Sequence, residues 1–171
     1  NVITKSKPYQ TSAGGSIKLL GGSFGTRGFE GGGTYSSEHS FSVISYRYLA
    51  TDGDFLFHTP RNGGISRANS DLTSHGFFAK EMWSFGDERL PKSLSLSGQY
   101  FYSKAGVPGS LDYPSPAARN RNQNGSFNLI YEQKVASPGN NIRIQTYYHN
   151  FEYRYDDPTA PDQSSYNHNI A

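Results

Sequence analysis

The sequence predicts an all-β protein: an antiparallel up-and-down meander of about seven to eight long strands, forming an open, curved portion of a large transmembrane β-barrel. Three observations predict it. Apolar and polar residues alternate with period two through most of the chain, the mark of strands with one apolar face. The alternating stretches run to about 10 residues, longer than the usual soluble strand of about 5–6 and close to the roughly 9–11 that a tilted strand needs to cross a bilayer. The connections alternate short and long, so every long one falls at the same end of the meander, as in outer-membrane barrels.

The strands are expected at 15–22, 27–36, 40–51, 73–84, 92–104, 124–134 and 141–155, with an eighth starting near Ser164. In the first, Ile17 and Leu19 alternate with Ser16 and Lys18. The second is weak and Gly-rich. In the third, Ile44, Tyr46 and Tyr48 oppose Phe41, Val43, Ser45 and Arg47. In the fourth, Phe77-Phe78 and Lys80-Glu81 break strict alternation, which suggests a bulge. The fifth sets Leu94, Leu96, Tyr100 and Tyr102 against Ser93, Ser95, Ser97, Gln99 and Ser103. The sixth sets Phe127, Leu129 and Tyr131 against Asn128 and Glu132; the seventh sets Ile142, Ile144, Thr146 and Tyr148 against Arg143, Gln145, Tyr147 and His149. Short connections are expected at 36–39, 85–91 and 136–140, and long ones at 52–72, 105–121 and from 156 onward. Tyr46, Tyr48, Tyr100, Tyr102, Tyr148, Tyr153 and Tyr155 then lie toward the long loops, and Tyr35, Trp83 and Tyr131 toward the short turns. Rings with a polar tip favour the headgroup boundary, so two such rims fit a membrane girdle.

Composition excludes other classes. Thirteen Tyr and eleven Phe are too many for a chain that stays solvated, and nineteen Gly with nine Pro argue against a helical bundle. Sixteen basic against fourteen acidic residues give a charge of +2, so no nucleic-acid partner held by bulk charge is expected. No run approaches the roughly 18 apolar residues of a spanning helix. The absence of Cys excludes disulfides and thiolate metal sites. The start at Asn1-Val-Ile-Thr-Lys, without initiator Met or signal peptide, reads as the interior of a longer protein.

A set of short motifs carries a resemblance to TonB-dependent outer-membrane receptors. Asn1-Val-Ile-Thr-Lys5 resembles the end of that family's plug, and residues 6–14 its linker to the barrel. Gly15-Ser-Ile-Lys-Leu-Leu-Gly-Gly-Ser-Phe-Gly-Thr26 resembles the first barrel strand with its tight outer turn. Ser45-Tyr-Arg-Tyr-Leu-Ala-Thr-Asp-Gly-Asp-Phe55, Arg67-Ala-Asn69 and Ala105-Gly-Val-Pro-Gly109 resemble the third strand entering an Asp-Gly loop, the Arg-x-Asn before the fourth strand, and a motif of the next long loop. Their order and spacing carry the likeness. It implies residues 1–13 as the end of a plug domain and linker, and 14–171 as the N-terminal part of a barrel in the outer membrane of a Gram-negative bacterium. It further implies TonB-dependent uptake of a scarce small-molecule ligand (a ferric siderophore, cobalamin, haem or a carbohydrate), with partners in outer-membrane lipid and in the TonB complex through a plug region absent from this chain. No reaction and no cofactor are implied. The alternatives are a passive porin or adhesin barrel and a soluble secreted β-sandwich.

The search for reactive residues gives little. None of His39, His58, His75, His149 and His168 has metalloprotease spacing. Asp52, Asp54, Asp71, Asp87 and Glu88 read as turn chemistry, with a loop calcium site at Asp52, Asp54 and Asp71 as the lesser reading. Ligand contact is expected instead in the long loops, at Arg61, Asn62, Arg67, Asn69, Tyr113, Arg119 and Arg121, because arginine forks suit carboxylates and other anionic groups. The plainer reading of these arginines is lumen- or lipopolysaccharide-facing surface charge.

Overall fold

The computed structural model describes residues 11–53, 55–59, 63–87, 89–110, 113–135 and 140–170. Among them are ten strands: β1 (Ser12–Gly21), β2 (Arg27–Ser36), β3 (Ser40–Thr51), β4 (Phe55–Thr59), β5 (Gly63–Arg67), β6 (Leu72–Phe85), β7 (Lys92–Gly106), β8 (Arg119–Lys134), β9 (Asn141–Asp156) and β10 (Ser165–Ile170). Eight form one antiparallel sheet in the order β1-β2-β3-β6-β7-β8-β9-β10, and β4 with β5 forms a separate hairpin. Apart from that hairpin, each strand pairs with the next in sequence, as an up-and-down meander requires. The sheet is open, with β1 and β10 at its two edges.

The register is unbroken across all eight strands. Leu19 pairs with Phe29, Phe29 with Tyr48, Tyr48 with His75, His75 with Tyr102, Tyr102 with Gln123, Gln123 with Glu152, and Glu152 with His168. Directly paired residues point to the same side of a sheet. The apolar sets read from separate strands therefore merge into one face. It carries Ile17 and Leu19, Ile44 and Tyr46, Phe77 and Ala79, Leu94 and Leu96, Phe127 and Leu129, and Ile142 and Ile144. The opposite face carries Lys18, Glu30, Arg47, Gln99, Asn124, Asn128, Glu132, Arg143 and His149. The bulge expected in β6 is absent: residues 72–83 pair with β3, and Leu72–Phe85 with β7, without interruption. Phe77 and Phe78 simply lie on opposite faces, as do Lys80 and Glu81.

Neither face is covered by a second layer among the described residues. Among the described residues only Phe41, Ala50 and Ala118 are buried hydrophobic residues, whereas Ile17, Leu19 and Ile144 are 75 %, 79 % and 60 % exposed. A soluble sandwich buries such side chains against a second sheet; this chain leaves them open.

Four expectations need correction. The connection after β3 is not a plain loop, since it holds the β4–β5 hairpin; the Asn62-Gly63 turn signal between Phe55-Leu-Phe and Ile65 was available for it. Residue 105–121 was read as one long loop, but β7 runs to Gly106 and β8 begins at Arg119. The period-two signal fails there because both faces are polar near this rim. Strand β1 begins at Ser12, so the last three residues of the expected 6–14 linker belong to it; residues 6–10 lie outside the described residues. Finally, Tyr153 and Tyr155 pair with Asn122 and Asn120, which puts them on the polar face and not in an outer aromatic rim.

Candidate functional site

At the rim where the long connections gather, the side chains hold the loops to one another. Asn69, in a left-handed conformation (φ 59°), donates its carboxamide hydrogens toward the carbonyls of Val107, Ser115 and Ala118 at 3.1, 2.7 and 2.9 Å. A short polar side chain tolerates that backbone region better than most. The Asn69 main-chain carbonyl and Oδ1 rest where a Cβ on Gly106 would stand, so this position must lack a side chain. Arg119 Nη1 donates to both carboxylate oxygens of Asp71, at 2.7 and 2.6 Å. Arg67 Nη2 donates to the Gly109 carbonyl at 3.3 Å, with its guanidinium 5.9 Å from the centre of the Phe55 ring. The loop before β6 is thus pinned to the loop before β8.

Two further ties extend this cap. Asp157 is buried, and its carboxylate accepts from the Thr159 hydroxyl at 2.6 Å, from the Thr159 amide at 3.0 Å and from the Tyr155 hydroxyl at 3.4 Å. The Ser115 side chain also bonds to it, joining the loop after β9 to the loop after β7. The Thr159 hydroxyl is the main cause that holds the Asp157 carboxyl below its ordinary pKa; burial opposes it, and the remaining bonds add to it. On the other flank, the β1–β2 turn is fixed to the start of the β3–β4 connection. The Phe24 carbonyl accepts from the Asp52 and Gly53 amides, Arg27 donates to Asp52 at 3.2 Å, and the Phe24 and Phe55 rings meet edge-on at 6.0 Å.

The expected contact residues divide accordingly. Arg67, Asn69 and Arg119 come together, but their polar groups are engaged in the fold of the loops. Tyr113 projects from the loop after β7, 82 % exposed. Arg119 and Arg121 belong to strand β8, not to a loop, and Arg121 is exposed on the same face as Lys104 and Arg154, its cross-strand partners. Arg61 and Asn62 lie outside the described residues, as do Asp54 and Glu88. The carboxylates weighed for calcium are taken up by arginine, Asp52 by Arg27 and Asp71 by Arg119. Among the described residues no group of three or more His, Asp or Glu side chains is placed to hold a metal ion. Sequence reasoning missed Ser115, Asp157 and Thr159; the Asp-Pro-Thr run was the available sign, since Asp side chains commonly bond the backbone two residues on.

The polar face carries a concavity of about 700 Å³. Glu30 bridges Arg47 at 3.0 Å and Lys18 at 3.7 Å. Gly76, Gln99, Phe78, Phe101 and Asn124 are among the other residues that line it. Farther along, His149 Nε2 lies 3.1 Å from Asn124 Oδ1, Gln145 donates to Asn128 at 2.9 Å, and Arg143 donates to Glu132 at 3.0 Å. These pairs are largely exposed, so each contributes at most about 1 kcal/mol. Their chemistry is that of a hydrated surface that can hydrogen-bond a polar solute.

The apolar face carries two aromatic groups separated along the strands. Tyr48, His75 and Tyr102 share one register row, with ring centres 5.1 and 6.3 Å from His75, and the Tyr46 hydroxyl lies 2.8 Å from His75 Nδ1. Near the short turns lie Tyr35, Trp83, Phe85 and Tyr131, with Phe85 and Tyr131 6.5 Å apart. Above the first group the same face turns polar, with Lys104, Arg121 and Arg154 in one row.

No protein-family model, no curated protein and no solved structure matches this chain.

Two outcomes follow from the loop cap. Asn69→Gly keeps the left-handed backbone and removes the carboxamide, leaving three carbonyls without that donor; it should destabilise the cap by about 1–3 kcal/mol, measured by urea unfolding, and speed proteolytic cleavage within 107–118. For Asp157 the folded-state pKa lies below the unfolded value. Its contribution is therefore complete above the ordinary carboxylate range, about 3.9, and is lost as pH falls through the depressed value. Pepsin cleavage of the 157–164 connection should rise between about pH 4.5 and about pH 2, whereas Asp157→Asn should already be cleaved readily at the upper end.

Proposed function

We propose that this sheet is part of the wall of an outer-membrane β-barrel of the TonB-dependent receptor class, working in the energised uptake of a scarce small-molecule ligand. One observation carries the barrel reading. A single uncovered antiparallel layer has one apolar face bounded by two aromatic groups, with all its long connections at one rim. The His75 and Trp83 positions are eight residues apart on β6. At ~3.4 Å per residue they are ~27 Å apart along the strand, or ~20 Å in height after a ~40° tilt. That is close to the ~25 Å apolar band of such barrels. Strands of 14 to 16 residues in β6, β7, β8 and β9 then continue past the upper boundary, where the outward face becomes charged. The open edges at β1 and β10 suit a sheet that continues into further strands, and the polar face suits a wide lumen.

The TonB-dependent class rests on the ordered motifs from Asn1 to Gly109, and so do the ligand classes, a ferric siderophore, cobalamin, haem or a carbohydrate. On this reading the protein catalyses no reaction, and energy reaches it from the TonB complex through a plug. Tyr113 and Arg121 are exposed near this rim, and the concavity around Arg47 and Gln99 faces the lumen.

Uptake decides between the classes. In cells making the full protein, accumulation of a labelled ferric siderophore, cobalamin, haem or oligosaccharide should depend on both this protein and TonB. Accumulation of a ligand that persists without TonB, together with steady ion conductance in a planar bilayer, would establish a passive porin. A protein that folds in buffer without detergent would sink the barrel reading altogether. The face assignment has its own test. Ile44→Lys on the apolar face should cost about 2–4 kcal/mol of stability in lipid vesicles, whereas Ser45→Lys, one residue on and facing the other way, should cost under about 1 kcal/mol.

A further inference from the structure

The apolar face holds one feature that a plain barrel wall does not use. In the three register rows that lie between the row of Tyr48, His75 and Tyr102, which ends on Glu152, and the row of Trp83, Leu94 and Tyr131, every side chain on this face is uncharged among the described residues, with the exception of Glu81. Glu81 is half-buried and makes no hydrogen bond or ion pair among the described residues. Lys80 points to the other face, and Lys92, on the same face, lies two register rows nearer the short-turn rim without pairing to it. A carboxylate in apolar surroundings is costly unless a cation meets it. Its cross-strand neighbours are Ser42 and Leu96, and Trp83 lies two residues on, which puts Glu81 at the level of the lower aromatic group.

Glu81 also borders a groove of about 910 Å³. Gly33, Ile44, Ala79, Gly98 and Phe127 form one continuous register row through it. Ala79 and Gly98 are adjacent and small, so they form a trough between the larger side chains of Ile44 and Phe127. The groove takes in this row and the next one toward the short turns, Tyr35, Ser42, Glu81 and Leu96. Its lining is mostly apolar, with the Glu81 carboxylate on the row nearest the short turns.

We infer that the trough seats an acyl chain of a phospholipid whose headgroup carries a primary amine, with the ammonium against Glu81. The inference rests on the reading of this face as lipid-facing. Charge complementarity selects the lipid: an ammonium donates charge-assisted hydrogen bonds to a carboxylate, a quaternary amine has no hydrogen to donate, and an anionic headgroup is repelled. The aromatic side chains Tyr35 and Trp83 flank the site at the depth where headgroups begin.

The test is native mass spectrometry of the full protein in detergent, titrated with phosphatidylethanolamine, phosphatidylcholine or phosphatidylglycerol of identical chains. Heat-modifiable mobility on gels, measured in parallel, reports an intact barrel. The wild type should retain phosphatidylethanolamine about fivefold over phosphatidylglycerol, and Glu81→Gln should bring the two to near equality, as expected for loss of one partly exposed ion pair. Ala79→Leu, which fills the trough, should lower retention of all three lipids; should that variant misfold, the isosteric Glu81→Gln still decides. Equal retention by the wild type, or a preference that survives Glu81→Gln, overturns the inference while the barrel stands. A dimer that Glu81→Gln dissociates overturns it in favour of a second copy of this chain. A wild type that stays dissolved without detergent and lacks heat-modifiable mobility overturns the barrel reading and the inference together.

Discussion

Everything in this molecule depends on the cross-strand register remaining unbroken over eight strands. Side chains alternate with a period of two, so a slip of one residue between any two strands would move every following side chain to the wrong face. No pair in the main sheet slips or bulges. Consequently Ile17 on the first strand and Ile144 on the ninth lie on the same side, although more than a hundred residues of chain separate them. The charged triad of Lys18, Glu30 and Arg47 is built by the same rule, because Lys18 pairs with Glu30 and Glu30 with Arg47. Cross-strand pairs contribute only about 0.2–1 kcal/mol each. Their value here lies in number and in agreement, since each pair favours the same register as its neighbours.

The two rims are built differently. The short-turn rim follows the ladders, with tight returns such as the Ser37–Ser40 turn, where the Ser37 amide donates to the Ser40 carbonyl at 2.8 Å. The other rim is a bonded cap. Asn69, Asp71, Ser115 and Asp157 come from three connections far apart in sequence; Asn69 bonds another connection, Asp71 the first residue of β8, and Ser115 reaches Asp157, which otherwise bonds Thr159 and Tyr155. That explains why residues of the type that contact anionic ligands are not free to do so here. It also makes the cap stiffer than its loop lengths suggest, because each tie removes freedom that a lone loop would keep. The polar atoms left over, Asn69 Oδ1 and Ser70 Oγ, are buried without a hydrogen-bond partner, a cost the other bonds of the cap offset.

The apolar and polar faces set the functional logic. A sheet with both faces uncovered does not hold itself together through a core; only three hydrophobic residues among those described are buried. Its stability must come from hydrogen-bonded ladders and from whatever medium meets the apolar face. On the proposed barrel reading a bilayer is that medium, with the aromatic rings gathered at two heights as its boundaries. Glu81 is the one charged side chain among the described residues of the three rows between those two heights.

The sequence by itself determined the strands and their faces. Alternation in Leu94 to Tyr102 and in Ile142 to Tyr148 is a local property, set by two side chains in every four, and the short and long connections are equally local. It placed β2, β3 and β9 to within a residue or so for the same reason. The start of β8 was illegible because Arg119 to Asn124 is polar on both faces, and alternation needs a contrast between faces to be seen. The β4–β5 hairpin was hidden because two five-residue strands resemble a loop. What tertiary structure alone decided are the contacts between connections and the faces near the rim: that Arg119 meets Asp71, that Asn69 reaches three carbonyls of another loop, and that Tyr153 lies on the polar face while Tyr148 lies on the apolar one. Those depend on which residues the shared register brings to one rim and one face, and a register is a relation between strands that no single stretch of chain contains.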